Sequence, residues 1–358
     1  MNFGSDNVWG ASAPVLEALV RANAGAQAAY GEDEGTKRVE RRFAEIFERD
    51  VAVFLGGTGT GVNALAVAAV VPPWGSVVCH REAHIIDDEC GAPEFFTHGA
   101  KLYGLPGVGA KLQPEEVAAY VDGLPKAVKQ MPPKLLSLSQ VSECGLVHTR
   151  DEIAALSAVC RERGMALHMD GARFANALVR LGCTPAEMTW KAGVDILTFG
   201  ATKNGCLAAE AIVVFDKALA ETLAYRRKRG GHLFSKGRLV SAQFEGYFAN
   251  DHWLANARHA NAMAARLAEG LEGVPGVRLA WACEANEVFP ILPRAVDEAL
   301  QGAGFLYRAW SDLSLPEGER IGAGERLVRL VTSWATEEGT VERFLATARD
   351  AAQQRAAE

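Results

Sequence analysis

The chain has 358 residues, of which 49% are hydrophobic and 36 are glycine, so it is long enough for two globular domains that share a buried interface. The formal net charge is −7 with acidic and basic residues mixed, which argues against a nucleic-acid-binding protein because that would need a concentrated basic face. The sequence has no run of about 18 apolar residues, and its first residues do not resemble a signal peptide, so we expect a cytoplasmic protein without membrane contact whose partners are small molecules.

The first 80 residues alternate between helical and strand patterns around a glycine-rich segment. Residues 36–50 carry apolar side chains at helical spacing, and Val51–Leu55 has the pattern of a short buried strand. The glycine-rich segment Gly56–Gly61 follows, and then an apolar helical pattern that ends near Val71. A turn between a strand and a helix offers unpaired N–H groups and the positive end of the helix dipole, so this segment is a candidate anion site.

Strand patterns recur along the middle of the chain, separated mostly by helical patterns such as residues 150–163. These runs are 76–79, 135–138, 166–169, 195–199 and 211–215. The alternation predicts an α/β fold, in which a mainly parallel sheet is covered by helices on both faces. We assign residues 1–240 to this large domain.

The pattern changes after about residue 240. An alanine-rich helix is predicted over 251–271, followed by strands near 277–280 and 287–292, a helix, and strands near Phe305 and 326–331. Residues 241–358 are therefore predicted to form a smaller C-terminal α+β domain.

The cysteines give no sign of a disulfide or metal framework. There are seven, widely scattered and without a C-x-x-C pair, so free thiols are expected. The stretch Cys79–Cys90 holds two histidines and several acidic residues, but its spacing matches no zinc pattern and we predict no metal there.

Asp170 and Lys203 each follow an apolar strand pattern. Because ligand groups gather at the carboxyl ends of the strands in a parallel sheet, both side chains are expected in one crevice. Taken singly, each could be a solvated loop charge or part of an ordinary salt bridge. Together with Gly57–Gly61 they meet the needs of pyridoxal phosphate: an amine for the Schiff base, a carboxylate for the pyridine nitrogen, and backbone amides for the phosphate.

The glycine-rich segment has two other interpretations. Gly59, Gly61 and Ala64 fit the loose G-x-G-x-x-A form of a dinucleotide-binding turn, and Glu82 lies near the position of the acidic partner. That interpretation leaves Asp170 and Lys203 unexplained. A P-loop is excluded because no Gly-Lys-Ser/Thr follows.

The sequence resembles the low-specificity L-threonine aldolases, within the aspartate-aminotransferase-like fold (fold type I) of pyridoxal-phosphate enzymes. The resemblance covers nearly the whole chain. Its motifs are Gly4-Ser-Asp-Asn7, Tyr30-Gly-Glu-Asp33, Gly59-Thr60-x-x-Asn63, Ala83-His-Ile85, Asp170-Gly-Ala-Arg173, Thr202-Lys203 and Arg329-Leu-Val-Thr332. The resemblance implies cleavage of threonine or a related β-hydroxy-α-amino acid to glycine and an aldehyde, by a homo-oligomer built as a dimer of dimers.

The resemblance also implies roles for single residues. Lys203 is similar to the Schiff-base lysine, Asp170 to the partner of the pyridine nitrogen, and Gly59 with Thr60 to the phosphate cup. His84 resembles the histidine that stacks on the cofactor ring and assists proton transfer.

The substrate carboxylate is expected to meet Ser5, Arg173 and Arg329 by the same resemblance, with Arg173 also near the cofactor's phenolic oxygen. Arg329 lies in an apolar strand pattern, where a buried arginine is costly unless an anion meets it. Ser5 near a chain start is also an ordinary cap or turn residue.

Two segments depart from the family pattern. Ser333-Trp334 stands where many relatives have a histidine after Val-Thr, and residues 126–132 lack the histidine that often reaches the substrate's β-hydroxyl. We therefore expect His84 or a water molecule to take the hydroxyl proton, and the stereopreference at the β-carbon stays open.

The sequence is also compatible with other functions. A β-eliminating lyase or aminotransferase would use the same lysine and aspartate, and fold analogy cannot separate these reactions. His84 favours the aldolase. A non-catalytic ligand-binding or nucleotide-binding protein is a further alternative. The basic stretch Arg226–Arg229, continuing to Lys236, is either a solvated helix face or a source of a cation for a neighbouring subunit's phosphate.

Overall fold

The computed structural model describes residues 1–357, and its side chains are described to residue 354. The strands are β1 (Ala52–Gly56), β2 (Ser76–His80), β3 (Lys101–Leu105), β4 (Pro133–Ser139), β5 (Ala166–Gly171), β6 (Ile196–Gly200), β7 (Glu210–Val214), β8 (Arg278–Leu279), β9 (Glu287–Val288), β10 (Pro290–Pro293), β11 (Arg308–Ala309) and β12 (Glu325–Val331).

Helices connect most of these strands. They are α1 (Ala13–Ala22), α2 (Glu34–Ile46), α3 (Gly59–Val70), α4 (His84–Asp87), α5 (Ala92–Phe96), α6 (Pro114–Gly123), α7 (Arg150–Glu162), α8 (Phe174–Leu181), α9 (Pro185–Met188), α10 (Ala220–Arg229), α11 (Arg238–Phe248), α12 (His252–Glu272), α13 (Arg294–Gly302) and α14 (Glu338–Ala357). None of the helices within residues 1–357 combines the length and apolar composition that a bilayer crossing requires.

The large sheet has the strand order β1-β7-β6-β5-β4-β2-β3. The neighbours from β6 through β5, β4 and β2 to β3 are parallel, whereas β7 runs antiparallel to both β6 and β1. The predicted mainly parallel sheet is confirmed. Because the parallel strands point the same way, the ends of β4, β5 and β6 lie at one edge of the sheet.

Both faces of this sheet are buried. Leu136 and Val213 belong to the larger hydrophobic core, while Leu135 and Ile212, each one position away, belong to separate buried clusters on the other face. Since successive strand residues point to opposite faces, helices must cover both sides. Several of these helices begin at side-chain caps: Thr149 and Glu152 form a capping box at α7.

The C-terminal region holds a smaller sheet with the order β11-β12-β10-β8, and β9 pairs with β12. Its core is formed by apolar residues of α12, α13, α14 and the strands, and it includes Phe3 from the start of the chain. The predicted smaller α+β region is therefore present. The boundary at residue 240 stays a prediction: α11 spans it, and Val240 and Phe244 pack in the core of the large sheet.

Two details differ from the sequence prediction. Strand β3 was not predicted, because Lys101, Tyr103 and Gly104 interrupt the apolar pattern of this half-exposed edge strand. The strand expected near Phe305 lies instead at Arg308–Ala309, and Phe305 packs against Phe344 with ring centroids 4.9 Å apart.

Candidate active site

A cavity of about 300 Å³ opens at the carboxyl ends of β4, β5 and β6. Its lining consists of Asn7, Gly57, Thr58, Gly59, Thr60, Val62, Asn63, His84, Ser139, Val141, Glu143, Asp170, Ala172, Arg173, Thr198, Thr202, Lys203 and Glu210. Six of the predicted site residues are in this set: Gly59, Thr60, His84, Asp170, Arg173 and Lys203. Ser5 and Arg329 are not.

Asp170 is the last residue but one of β5, and its carboxylate is held on both oxygens. Asn63 Nδ2 donates to Asp170 Oδ2 at 2.8 Å, and the Ala172 amide donates to Oδ1 at 3.0 Å. The side chain is buried, yet it faces the cavity. A carboxylate fixed in this way is oriented in advance for a cationic or N–H ligand group.

Lys203 lies in a short 3-10 turn, Thr202–Asn204, between β6 and the antiparallel β7. Asn204 Nδ2 donates to the Tyr247 hydroxyl at 2.8 Å, and the Ala209 amide donates to Thr202 Oγ1 at 3.2 Å. The turn closes at Gly205, whose φ of 115° lies in the left-handed region that favours glycine. These contacts fix the backbone from which the Lys203 amine reaches the cavity.

The first turn of α3 offers unpaired backbone donors. Thr58 caps the helix by accepting from the Gly61 amide at 3.1 Å. The amides of Gly59 and Thr60 have no acceptor within the described residues, and both residues line the cavity. Together with the helix dipole, these groups form a candidate anion site.

His232 lies directly against this turn. The Gly57 amide donates to His232 Nδ1 at 3.3 Å, and a Cβ added at Gly61 would come within 2.0 Å of His232 Nε2. Burial lowers the pKa of His232, and the charge of Arg227 lowers it further. The imidazole of His232 thus packs against this turn, and no motif in the sequence marks it.

His84 lies at the start of α4 with its ring at the cavity wall. Its Nδ1 is 2.9 Å from Glu89 Oε1, and its amide donates to Glu143 Oε1 at 3.2 Å. The hydrogen bond to Glu89 raises the pKa of His84 more than burial lowers it.

Arg173 is engaged by acidic groups of the chain itself. Its Nε donates to Asp6 Oδ2 at 2.8 Å and its Nη2 to Asp6 Oδ1 at 3.1 Å, and Glu287 Oε1 lies 3.3 Å from the same Nη2. Burial opposes ionisation of Asp6, but Arg173 and Lys203 outweigh it and lower the Asp6 pKa. Arg173 lines the cavity, so it remains placed to meet a ligand as well.

Arg329 and Ser5 lie outside the cavity lining. The Arg329 guanidinium stacks on Trp310 at 4.3 Å and lies 3.7 Å from Glu287 Oε1, while its buried Nε has no hydrogen-bond partner within the described residues. An anion does meet this arginine, but it is Glu287. Ser5 caps a 3-10 turn, Asp6–Val8, by accepting from the Asn7 amide at 3.1 Å.

Two further carboxylates line the cavity, those of Glu143 and Glu210. Neither was predicted from the sequence. Burial raises the pKa of Glu143, and Asp170 adds to this effect. Burial also raises the pKa of Glu210 to about 7, against hydrogen bonds from Thr202 and the charge of Lys203. Glu210 can therefore hold a proton near neutral pH.

Some of the missed residues had a signal in the sequence. Asn63 and Asp6 lie inside the quoted motifs, and Glu89 lies in the stretch considered for a metal. No group of three or more side chains suited to a metal ion occurs in the described part of the chain. Glu143, Glu210 and His232 belong to no pattern that marks them.

Comparison with known proteins places the chain among lyases. The family model described as "Beta-eliminating lyase" matches residues 2–291. A low-specificity L-threonine aldolase of Pseudomonas aeruginosa is 42% identical over 349 residues, which cover 97% of this chain and 96% of that protein.

A solved structure agrees with this placement. The structure of a Leishmania major threonine aldolase superposes with a TM-score of 0.90 at 31% identity, covering 98% of this chain and 99% of that one. A serine palmitoyltransferase from S. paucimobilis, solved with a bound PLP–myriocin aldimine, has a TM-score of 0.68 at 16% identity and covers 100% of this chain and 88% of its own. The second likeness shows the fold alone.

Proposed function

The chain belongs to the low-specificity L-threonine aldolase family, within the β-eliminating lyases, and on that premise we propose that it uses pyridoxal phosphate to cleave L-threonine, L-allo-threonine or related β-hydroxy-α-amino acids to glycine and an aldehyde. The observation that carries the proposal is the convergence of Lys203, Asp170 and the unpaired amides of Gly59 and Thr60 on one cavity.

The groups present in the cavity fit pyridoxal phosphate. Lys203 would hold its aldehyde carbon, Asp170 would meet its pyridine nitrogen, and the first turn of α3 would hold its phosphate. When bound, pyridoxal phosphate supplies an electron-poor ring that takes up the electron pair of the broken Cα–Cβ bond. The hydrogen bonds that fix Asp170 support its role as the ionised partner of the ring nitrogen.

Residues of the chain then account for the proton movements. With pyridoxal phosphate bound, the substrate amine would take the place of the Lys203 amine, and Lys203 would be free to carry a proton. His84 takes the proton of the β-hydroxyl, the Cα–Cβ bond breaks, and the former hydroxyl carbon leaves as an aldehyde. The proton that His84 took would be returned to Cα, directly or through the Lys203 amine, and glycine remains.

The choice of His84 as the base is supported by its position. Its ring lines the cavity, and the hydrogen bond that it donates to Glu89 raises its pKa. Of the described residues that line the cavity, none comes from 126–132, the segment that lacks the histidine of many relatives. Geometry decides the base before its pKa does.

The substrate carboxylate would be met by Arg173, which lines the cavity. Arg329 and Ser5 are assigned to the same carboxylate by resemblance. Glu287 lies between the two guanidinium groups, 3.3 Å from Arg173 and 3.7 Å from Arg329, so they already share one anion region.

We also propose a homo-oligomer, a dimer of dimers. The segment around α1 carries exposed apolar side chains, including Trp9 at 45%, Leu16 at 45% and Val20 at 75% exposure, which supports an interface there. Size-exclusion chromatography with light scattering measures the state, and a monomer at micromolar concentration would contradict it.

Two measurements test the function. Purified protein that is incubated with pyridoxal phosphate and then freed of the excess should stay yellow as the Lys203 aldimine, and Lys203→Ala should lose that absorbance. Incubation with L-threonine or phenylserine should release an aldehyde and glycine in equal amounts. Release of ammonia and a keto acid instead would show that the enzyme catalyses β-elimination and would contradict the aldolase reaction.

A further inference from the structure

Glu89 is a buried carboxylate that lies next to the cavity but does not line it. It lies between α4 and α5 and is 3% exposed. The two residues after it, Cys90 and Gly91, have φ values of 51° and 72°, so the chain turns sharply there and directs Glu89 inward. A carboxylate costs free energy to bury unless its partners compensate.

The partners of Glu89 are gathered on one of its two oxygens. Oε1 accepts from Asn63 Nδ2 at 2.8 Å and lies 2.9 Å from His84 Nδ1, while Oε2 is buried without a hydrogen-bond partner in the described part of the chain. Burial raises the pKa of Glu89, and the hydrogen bonds from His84 and Asn63 act against this rise.

This contact determines where His84 carries its proton. A carboxylate oxygen accepts hydrogen bonds, so His84 Nδ1 carries the hydrogen. In the neutral ring the lone pair is then on Nε2, which makes no hydrogen bond within the described residues. Glu143 and Asp170 also face His84 and raise its pKa, but less than Glu89 does.

Asn63 connects this pair to Asp170. Its amide nitrogen donates one hydrogen to Glu89 and the other to Asp170, each at 2.8 Å, and its Oδ1 accepts from Thr198 Oγ1 at 2.7 Å. The opposite amide orientation would place oxygen against two carboxylates, so the network fixes the assignment. His84 and Asp170 are thereby held at a set distance through one side chain.

We propose that Glu89 is a positioning residue, which holds His84 with its proton on Nδ1 and Nε2 towards the cavity and, through Asn63, keeps that ring in register with Asp170. The arrangement is that of a histidine oriented by a buried carboxylate. The catalytic consequence rests on the proposed function, whereas the state of the histidine does not.

The first test measures His84 directly in the full-length protein. Diethyl pyrocarbonate modifies neutral imidazole, and peptide mass spectrometry at a series of pH values gives the midpoint of modification at His84. Glu89→Gln keeps a carbonyl acceptor in nearly the same shape but removes the charge, so the midpoint should move to lower pH. Glu94→Gln, five residues further on, is the matched control and should leave the midpoint unchanged.

A merely structural role would give a different result. Local loosening would speed modification at every pH without moving the midpoint, and Glu89→Gln with the wild-type midpoint would overturn the proposal. Thermal unfolding of both variants shows whether each is folded. Glu89→Ala, which also removes the acceptor, should move the midpoint at least as far as Glu89→Gln.

The second test is kinetic and uses the enzyme with pyridoxal phosphate. Glu89→Gln should lower kcat for L-threonine roughly 10- to 100-fold, a share of the 10²–10⁴ that a general base contributes, and leave KM within about twofold. An unchanged kcat would contradict the positioning role. If the wild-type protein cleaves no β-hydroxy-amino acid, the proposed function fails, and the modification experiment still decides the state of His84.

Discussion

Arg173 and Asp6 form a two-point ion pair, with 2.8 Å between Nε and Oδ2 and 3.1 Å between Nη2 and Oδ1. Both side chains are buried, and they join the amino-terminal 3-10 turn to the end of β5. Phe3, just before this turn, packs in the core of the small sheet. The ion pair therefore holds the amino-terminal segment between the small sheet and the edge of the large one.

Removing one partner of this pair should be costly. Asp6→Asn should lower the free energy of unfolding by about 3 kcal/mol, because Arg173 keeps its charge in a buried place with less compensation. Urea unfolding measures the change. Glu34→Gln, which breaks an exposed pair with Lys37, is the control and should behave as wild type; equal curves for both variants would contradict the prediction.

Two glycines of the anion site should respond differently to alanine. A Cβ at Gly61 would meet His232 Nε2 at 2.0 Å, whereas a Cβ at Gly59 meets nothing within 4 Å. Gly61→Ala should therefore lower the thermal unfolding temperature, and Gly59→Ala should not. If phosphate binds beside Gly59, however, Gly59→Ala should weaken pyridoxal phosphate binding, which a titration followed by absorbance measures. Wild-type affinity in Gly59→Ala would place the phosphate elsewhere.

The free energy of unfolding should decrease as the pH is lowered, because two histidines, His148 and His168, are buried. Burial lowers the pKa of each to about 4, whereas the unfolded chain protonates histidine near about pH 6.5. Between these values the unfolded state binds more protons, so stability is lost as the pH falls through this window. Each histidine should account for a loss of about 2 kcal/mol between about pH 7 and 5.

Variants separate this effect from other titrations. His148→Gln should lose about 2 kcal/mol less than wild type over the same pH range, as measured by urea unfolding at each pH. His98→Asn replaces an exposed histidine and should keep the wild-type pH dependence. His168 still contributes in this variant, so only a loss as large as that of the wild type would assign the effect to other groups.

Arg329 can be tested as a ligand of the substrate carboxylate. Arg329→Leu should raise KM for L-threonine roughly 10-fold or more, equivalent to about 1.4 kcal/mol of binding, with a smaller change in kcat. Arg326→Leu removes an arginine of the same strand that pairs with Asp297 at 3.0 Å, and it should keep the wild-type KM. If Arg329→Leu has the same KM as Arg326→Leu, Arg329 does not bind the substrate carboxylate and its role is structural.

Strands were predicted correctly from the sequence where an apolar run is unbroken and polar or glycine residues mark both of its ends. The strands that became β4, β5 and β6 are fully or mostly buried, so their composition alone marks them. Strand β3 lies at the sheet edge with exposed Lys101, and an edge strand has no need of an unbroken apolar pattern.

The candidate site was predictable in part for the same reason. Asp170 and Lys203 follow recognisable strands, and parallel topology brings strand ends together. Glu143 lies in a loop, and Glu210 begins a strand whose direction the sequence does not reveal. Arg173 was expected to face a substrate anion, but nothing in the sequence indicated that Asp6 would occupy its guanidinium.

The reversed direction of β7 has a consequence for how Lys203 can move. Its turn is the loop of a hairpin rather than the start of a crossover helix, and both flanking strands are anchored in the sheet within ten residues. The backbone at Lys203 is thus clamped from two sides. In the proposed role, Lys203 alternates between attached and released states, and it can do so here by swinging its four-carbon side chain, without the backbone having to rearrange in each turnover.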